Sequence, residues 1–198
     1  METLLSLMLG VSLSAACGFR IFVPMLAMSI AAQSGHMTLA SGFEWIGTPE
    51  AFAAFAIATV LEVGGYYIPW LDNVLDTVAT PTAIVAGTIV TASAVGEVSP
   101  LLQWTLAVIL GGGAAGLTQG MTDVLRVVST STTAGLANPV LSTMELGTAA
   151  TLSGLAITAP ALAGVLVIGL LIFSVQKLWK FLRKRSKSKR SEALAQLE

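Results

Sequence analysis

The chain has 198 residues, 55% of them hydrophobic and 11% charged, with one cysteine, one histidine and a formal net charge of −1. Soluble domains carry about a quarter charged residues, so this composition points to the bilayer as solvent. A lone cysteine, Cys17, excludes an internal disulfide, and with only His36 beside it there is no ligand set for zinc or an iron–sulfur centre, so no cofactor is expected.

Six apolar segments are predicted as spanning helices, at roughly 3–32, 50–69, 75–96, 100–128, 136–158 and 160–176. They describe an all-α polytopic membrane protein: one transmembrane domain, 1–176, and a basic tail, 177–198. The first segment opens with METLLS, acidic where a signal peptide is basic. It is therefore kept as a span, although LSAAC at 13–17 resembles a lipoprotein cleavage box. Some ~20 residues cross a hydrocarbon core of ~30 Å, so the first and fourth segments, each near thirty residues, must tilt or break. Gly18 and Pro24 are the weak points of the first. Arg20 lies inside it.

The next connector, GHMTLASGFEWIGTPE, carries Phe43 and Trp45 and reads as an interfacial loop; Trp70 and Trp104 fit the aromatic belt. The second segment holds Glu62. In DNVLD, 72–76, two aspartates stand one helical turn apart. Membrane prenyltransferases hold magnesium with such pairs, but no second acidic pair accompanies Asp72 and Asp76, and charged helix ends are ordinary at a membrane surface. The fourth segment carries Asp123 and Arg126, three apart on one face and predicted to satisfy each other. Pro81 in the third, and Asn138 with Pro139 in the fifth, are candidate breaks or starts of half-helices whose dipoles face a solute. Hydroxyls at Thr77, Thr80, Thr82, Ser142 and Thr143 either line a polar path or bond to backbone carbonyls. Glu145 follows in the fifth segment.

Basic residues set the orientation. Residues 1–176 hold two basic and nine acidic side chains, whereas 177–198 hold eight and two. No lysine or arginine occurs at 33–49, 67–75, 97–99 or 129–135, so the tail is placed in the cytoplasm against anionic headgroups, not on nucleic acid. Six spans then return the amino terminus to the cytoplasm.

Small residues suggest a repeat. Gly10, Ser14 and Gly18 recur every fourth position, as do Gly112, Gly116 and Gly120, and such faces let helices approach closely. LEVG at 61–64 echoes MELG at 144–147, and ATP at 79–81 echoes TAP at 158–160. Halves 1–98 and 99–176 of three spans each would be inverted, as in many transporters.

A charge within a span costs at least ~2.5–3.5 kcal/mol, so Arg20, Glu62, Asp123, Arg126 and Glu145 are expected to face a polar interior and to pair near mid-depth, Arg20 with Glu62 or Glu145. Such a cluster serves a cation, a proton relay or an anion on Arg20; equally, it serves as a lock between helices.

GVSLSAACGFRIFVP, YYIPWLDNVLDTVATPTAIVAGT and GLANPVLSTMELG resemble the bacterial membrane-protein family known as domain of unknown function 4126, over nearly everything before the tail. The resemblance implies a small inner-membrane protein and no particular activity. HExxH, GxGxxG and a phosphate loop are all missing, and no nucleophile comes with a histidine partner. The sequence thus favours passage of a small solute or ion, with Arg20, Glu62, Glu145 and Asn138 on the path. A lipid-directed enzyme using Asp72 and Asp76, or a non-catalytic scaffold, are the alternatives. The expected partners are the bilayer, the solute and a second copy of the chain.

Overall fold

Gly18 interrupts the first apolar segment. Helix α1, Glu2–Cys17, ends one residue before it, and α2, Phe22–Gln33, begins after a four-residue turn. Pro24 falls in the first turn of α2, where a missing N–H is tolerated, so glycine and not proline sets the break. In this computed structural model, which describes residues 2–96 and 98–176 apart from the side chains of residues 69, 70 and 73, the described residues form helices and loops with no strand among them. The basic tail and the Trp70 side chain lie outside the described residues.

After a 3-10 turn, Glu44–Gly47, come α3, Pro49–Gly65; α4, Pro69–Ala94; α5, Pro100–Thr133; α6, Asn138–Thr158; and α7, Pro160–Gln176. Pro49, Pro69, Pro100 and Pro139 each stand in the opening turn of a helix, where no hydrogen bond is lost. Thr48 and Ser99 cap α3 and α5 by accepting from Ala51 N and Leu102 N. Pro81 lies inside α4 without ending it. α5 runs through a π-helical turn, Ala107–Gly112, and stops where Ala134 and Gly135 both take positive φ, 52° and 84°.

Hydrogen bonds fix the directions. Phe22, at the start of α2, is bound to Glu62 near the end of α3, and Gln33, at the end of α2, donates to the Thr48 carbonyl at the start of α3. Helices α2 and α3 are therefore antiparallel. Gly10 of α1 lies against Thr91 and Ala94, at the carboxyl end of α4, and Ser14 donates to the Gly87 carbonyl one turn below. Beyond α2 the chain returns to that same end, where Ala40 N donates to the Ser93 carbonyl and Phe43 packs on Trp104. Helices α1 and α2 thus form a hairpin whose tip, residues 18–21, points into the bundle.

This corrects the first expected span. Segment 3–32 enters and leaves by one end, and its arms of 16 and 12 residues, about 24 and 18 Å, are each short of a crossing. The cause is local: a β-carbon on Gly18 would stand 2.5 Å from the Ala115 carbonyl oxygen, so the tip docks flat on α5, and Glu62 fixes the start of the second arm. Gly164 of α7 sits on Met8, and Val167 packs with Val11 and Ala15, so α7 runs parallel to α1. The two therefore begin at one end of the bundle and α7 finishes at the other. The expectation of both termini on one side counted the first segment as a crossing, which the two short arms of the hairpin do not make. The halves 1–98 and 99–176 also differ at their first element, a hairpin in one and a continuous 34-residue helix in the other, so the expected inverted pairing does not extend to it.

Three helical stretches, Val74–Ala94, Pro100–Thr133 and Asn138–Thr158, are long and apolar enough to cross a membrane; α1, α2 and α7 are shorter apolar helices. Many large apolar side chains lie outside, with Leu136 85% and Val60 71% exposed. The interior is rich in small and polar residues, Ala16, Ala83, Ala115, Ala149, Ser12, Ser14 and Thr91 among them, packed with a few large apolar ones such as Leu13, Met28, Ile46 and Val90.

Candidate functional site

Arg126 is the hub. It leaves α5 and reaches two other helices at once. Its Nη1 donates to Asp72 Oδ1 on α4 at 2.6 Å, its Nη2 to Glu145 Oε2 on α6 at 2.5 Å and to the Ser142 hydroxyl at 3.1 Å, and its Nε to Glu145 Oε1 at 3.2 Å. Asp76, one turn after Asp72, adds a looser ion pair at 3.7 Å. Arg20, 1% exposed at the hairpin tip, reaches the same Glu145 Oε2 at 3.1 Å and the Ser142 carbonyl at 3.0 Å. Both guanidinium carbons stand over the Tyr66 ring, at 3.9 and 4.5 Å from its centroid, a cation–π arrangement that strengthens with desolvation. Asn138 closes the far side, donating to Asp72 Oδ2 and accepting from the Ser129 hydroxyl.

The expected pairing of Arg20 with a glutamate is thus met by Glu145, not by Glu62. Glu62 accepts instead from the backbone: Ile21 N on Oε1 at 2.8 Å and Phe22 N on Oε2 at 3.1 Å. A helix start has unpaired N–H groups, and a carboxylate delivered from α3 satisfies them. The cluster also sits off centre. Glu145 lies only about 10 Å into α6, whose 21 residues span about 31 Å, so the charges gather toward the end of the bundle where α4 and α6 begin.

Asp123 and Arg126 do not satisfy each other. The Arg126 side chain is long enough to leave its own helix for α4 and α6, and Asp123 accepts instead from Thr80 on α4, at 2.9 Å, and from Gln119, at 2.8 Å. Nor do Asp72 and Asp76 converge as a metal pair. Both carboxylate oxygens of Asp72 are taken, by Arg126 and Asn138, and a guanidinium occupies the space between the two aspartates. Among the described residues no group of three metal-ligating side chains occurs.

Asp76 and Asp123 open instead onto a groove of about 570 Å³ between α4 and α5, lined also by Thr77, Thr130, Ser131 and one edge of Arg126. The Oδ1 of Asp76 is buried there and accepts no hydrogen bond. Three carboxylates, Asp72, Asp76 and Glu145, pair with the two guanidiniums, and Asp123 and Glu62 stand nearby on other partners. The site is acid-rich, and its excess faces the groove.

The small-residue faces pack as seams with one exception. A β-carbon on Gly10, Gly18, Gly112 or Gly116 would press on a neighbouring helix, whereas one on Gly120 would meet nothing within 4 Å. Ser14 bonds across the seam to Thr91 Oγ1 at 2.8 Å. Of the hydroxyls expected on a path, Thr82 and Thr143 donate to the carbonyls four residues back, Thr143 also pairs with Tyr67, and Ser142 serves Arg126.

The family model described as Domain of unknown function (DUF4126) matches residues 7–180. The chain belongs to this family. No curated protein and no solved structure matches it. The match runs over the hairpin, the Arg126 hub and the groove alike, so all three lie within the DUF4126 domain.

Three residues of this DUF4126 site carried no expectation. Tyr66 follows a Gly-Gly pair one turn after Glu62, a spacing that puts an aromatic face beside whatever that glutamate approaches. Thr91 and Gln119 act through hydroxyl and amide bonds to Ser14 and Asp123, and nothing in their spacing marks them.

Proposed function

We propose that the chain is a multi-pass protein of the bacterial inner membrane that passes a small cationic solute or ion, which enters along the α4–α5 groove. The membrane placement is supported by the apolar exterior around a charged interior and by three helical stretches of spanning length. With the basic tail in the cytoplasm against anionic headgroups, the end where α1 and α7 begin faces outward, and the acid-rich site lies toward the inner surface.

One observation carries the choice of solute. The groove joins a carboxylate oxygen on Asp76 that accepts no hydrogen bond and has only a loose ion pair with Arg126, the Asp123 carboxylate and three hydroxyl side chains, while Arg126 behind them is already held more closely by Asp72 and Glu145. Hard oxygen ligands with excess negative charge suit a cation. In liposome flux across sodium, potassium and small amines, wild type is expected to exceed empty vesicles. Asp76→Asn is expected to lose about tenfold of that flux, the weight of about 1.4 kcal/mol at the binding step. Wild-type flux at the empty-vesicle rate would end the transport reading.

A structural lock is the second reading, favoured by the burial of Arg126, Glu145 and Asp72 and by the bonds that join both acids through Arg126. It predicts no flux and no effect of Asp76→Asn. The lipid-enzyme alternative loses its support with Asp72, which is held away from the groove.

A further inference from the structure

We propose that Glu62 is a proton-binding latch on the tip of the α1–α2 hairpin, and that a proton taken up there releases the tip. The inference rests on the transport reading and names its coupling ion.

Glu62 is 8% exposed, and among the described residues no basic side chain forms an ion pair with it, because Arg20 is paired with Glu145. Its bonds are to the main chain of the tip alone, through Ile21 N and Phe22 N. Arg20, the tip's own charged residue, is held through a single nitrogen. Its Nη2 makes both bonds, to Ser142 and Glu145, while the buried Nε and Nη1 have no hydrogen-bond partner. Buried donors are rarely left over in a rigid lock, and the tip's side-chain hydrogen bonds to the rest of the bundle come from two groups, one guanidinium nitrogen and one carboxylate, beside the cation–π contact with Tyr66 and the packing of Gly18 on α5.

A cavity of about 410 Å³ between α2, α3 and α4 reaches Glu62, with Tyr66 and Thr82 the polar neighbours on an otherwise apolar wall. It gives a proton access from one side. The groups facing Glu62 are Arg20 on the tip, Glu145 on α6, Cys17 at the end of α1 and Tyr66 after α3; α4 contributes no charged group to this cavity.

The chemistry is a single protonation. As a carboxylate, Glu62 accepts from both N–H groups. With a proton on one oxygen, that oxygen presents a hydrogen to an N–H donor, and one buried backbone group loses its acceptor. The tip relieves this by swinging away from α3, which draws Arg20 off Glu145. The O–H of Glu62 is the one covalent bond that forms, and its proton leaves when the tip reseats.

Cys17, fully buried at the base of the tip, is a native probe. Its maleimide labelling in the full chain in liposomes is compared with that of Ser93→Cys in a Cys17→Ser background, since Ser93 is equally buried at the far end of α4. The ratio of the two rates removes general loosening and the pH dependence that the two thiols share. Repeating it with a larger maleimide, which a buried thiol excludes whatever its charge, separates release of the tip from the direct effect of the Glu62 charge on Cys17. It is expected to rise about tenfold as pH falls from about 8 to 5 in wild type, and to be high and flat in Glu62→Gln. A flat ratio in wild type, or Glu62→Gln labelling no faster than wild type, overturns the latch; so does equal acceleration at both thiols. Cation flux on the same vesicles separates the two proposals. Flux with a flat ratio removes the latch and leaves transport standing, whereas a pH-dependent ratio without flux in any variant does the reverse.

Discussion

Glu62 and Glu145 occupy matched places in the sequence, each two residues before a glycine, and both are 8% exposed in the fold. They bind opposite kinds of partner. Glu145 gathers two guanidiniums, while Glu62 takes no side chain and holds the N–H groups of a helix start. Gly18 and Gly120 divide in the same way, one pressed on the Ala115 carbonyl and the other with open space beside it. The hairpin accounts for both contrasts. It brings bare main chain to α3, whereas the straight α5 brings a long side chain to α6. A shared residue pattern therefore secures shared burial, but the path of the backbone decides what the buried group meets.

The sharpest break in that comparison comes from the hub. Arg126→Leu leaves Asp72, Asp76 and Glu145 around an apolar side chain, and a loss of about 3–5 kcal/mol is expected in the unfolding free energy measured in detergent. Arg20→Leu is expected to lose less, because Glu145 keeps Arg126; equal losses would mean that Arg126 is no hub. The glutamates come next. Glu145→Gln forfeits charge-assisted bonds to two arginines and is expected to cost about 2–3 kcal/mol, against about 1 kcal/mol for Glu62→Gln, which weakens a helix cap. The reverse order would break the distinction drawn between them. Smallest is the glycine pair: Gly18→Ala is expected to cost about 1–2 kcal/mol through overpacking at the tip, and Gly120→Ala to stay within about 0.5 kcal/mol of zero, read from the same unfolding curves.

Burial of the charges was legible because an arginine or glutamate deep in an apolar run has few places to go but inward. The interruption at Gly18 was legible for a similar reason, as thirty residues exceed one crossing. Its direction was not. A run of apolar residues reads alike whether the chain kinks and continues or folds back, and the deciding contacts, Ala40 with Ser93 and Gln33 with Thr48, come from partners far along the chain. The i, i+3 spacing of Asp123 and Arg126 misled because it measures proximity at the backbone, while a guanidinium on a long stem reaches a neighbouring helix. The groove is not legible in the sequence because its two acids, Asp76 and Asp123, come from different segments and only the packing of α4 on α5 sets them side by side.

The bond from Arg20 to the Ser142 carbonyl joins residues 122 positions apart. A ribosome adding about 5–20 residues per second takes about 6–24 s to cover that interval, during which the arginine has neither Ser142 nor Glu145 to receive it. The bonds that seat the hairpin tip are therefore completed late in synthesis, only after α6 has emerged, and the first helices made are among the last to be fastened.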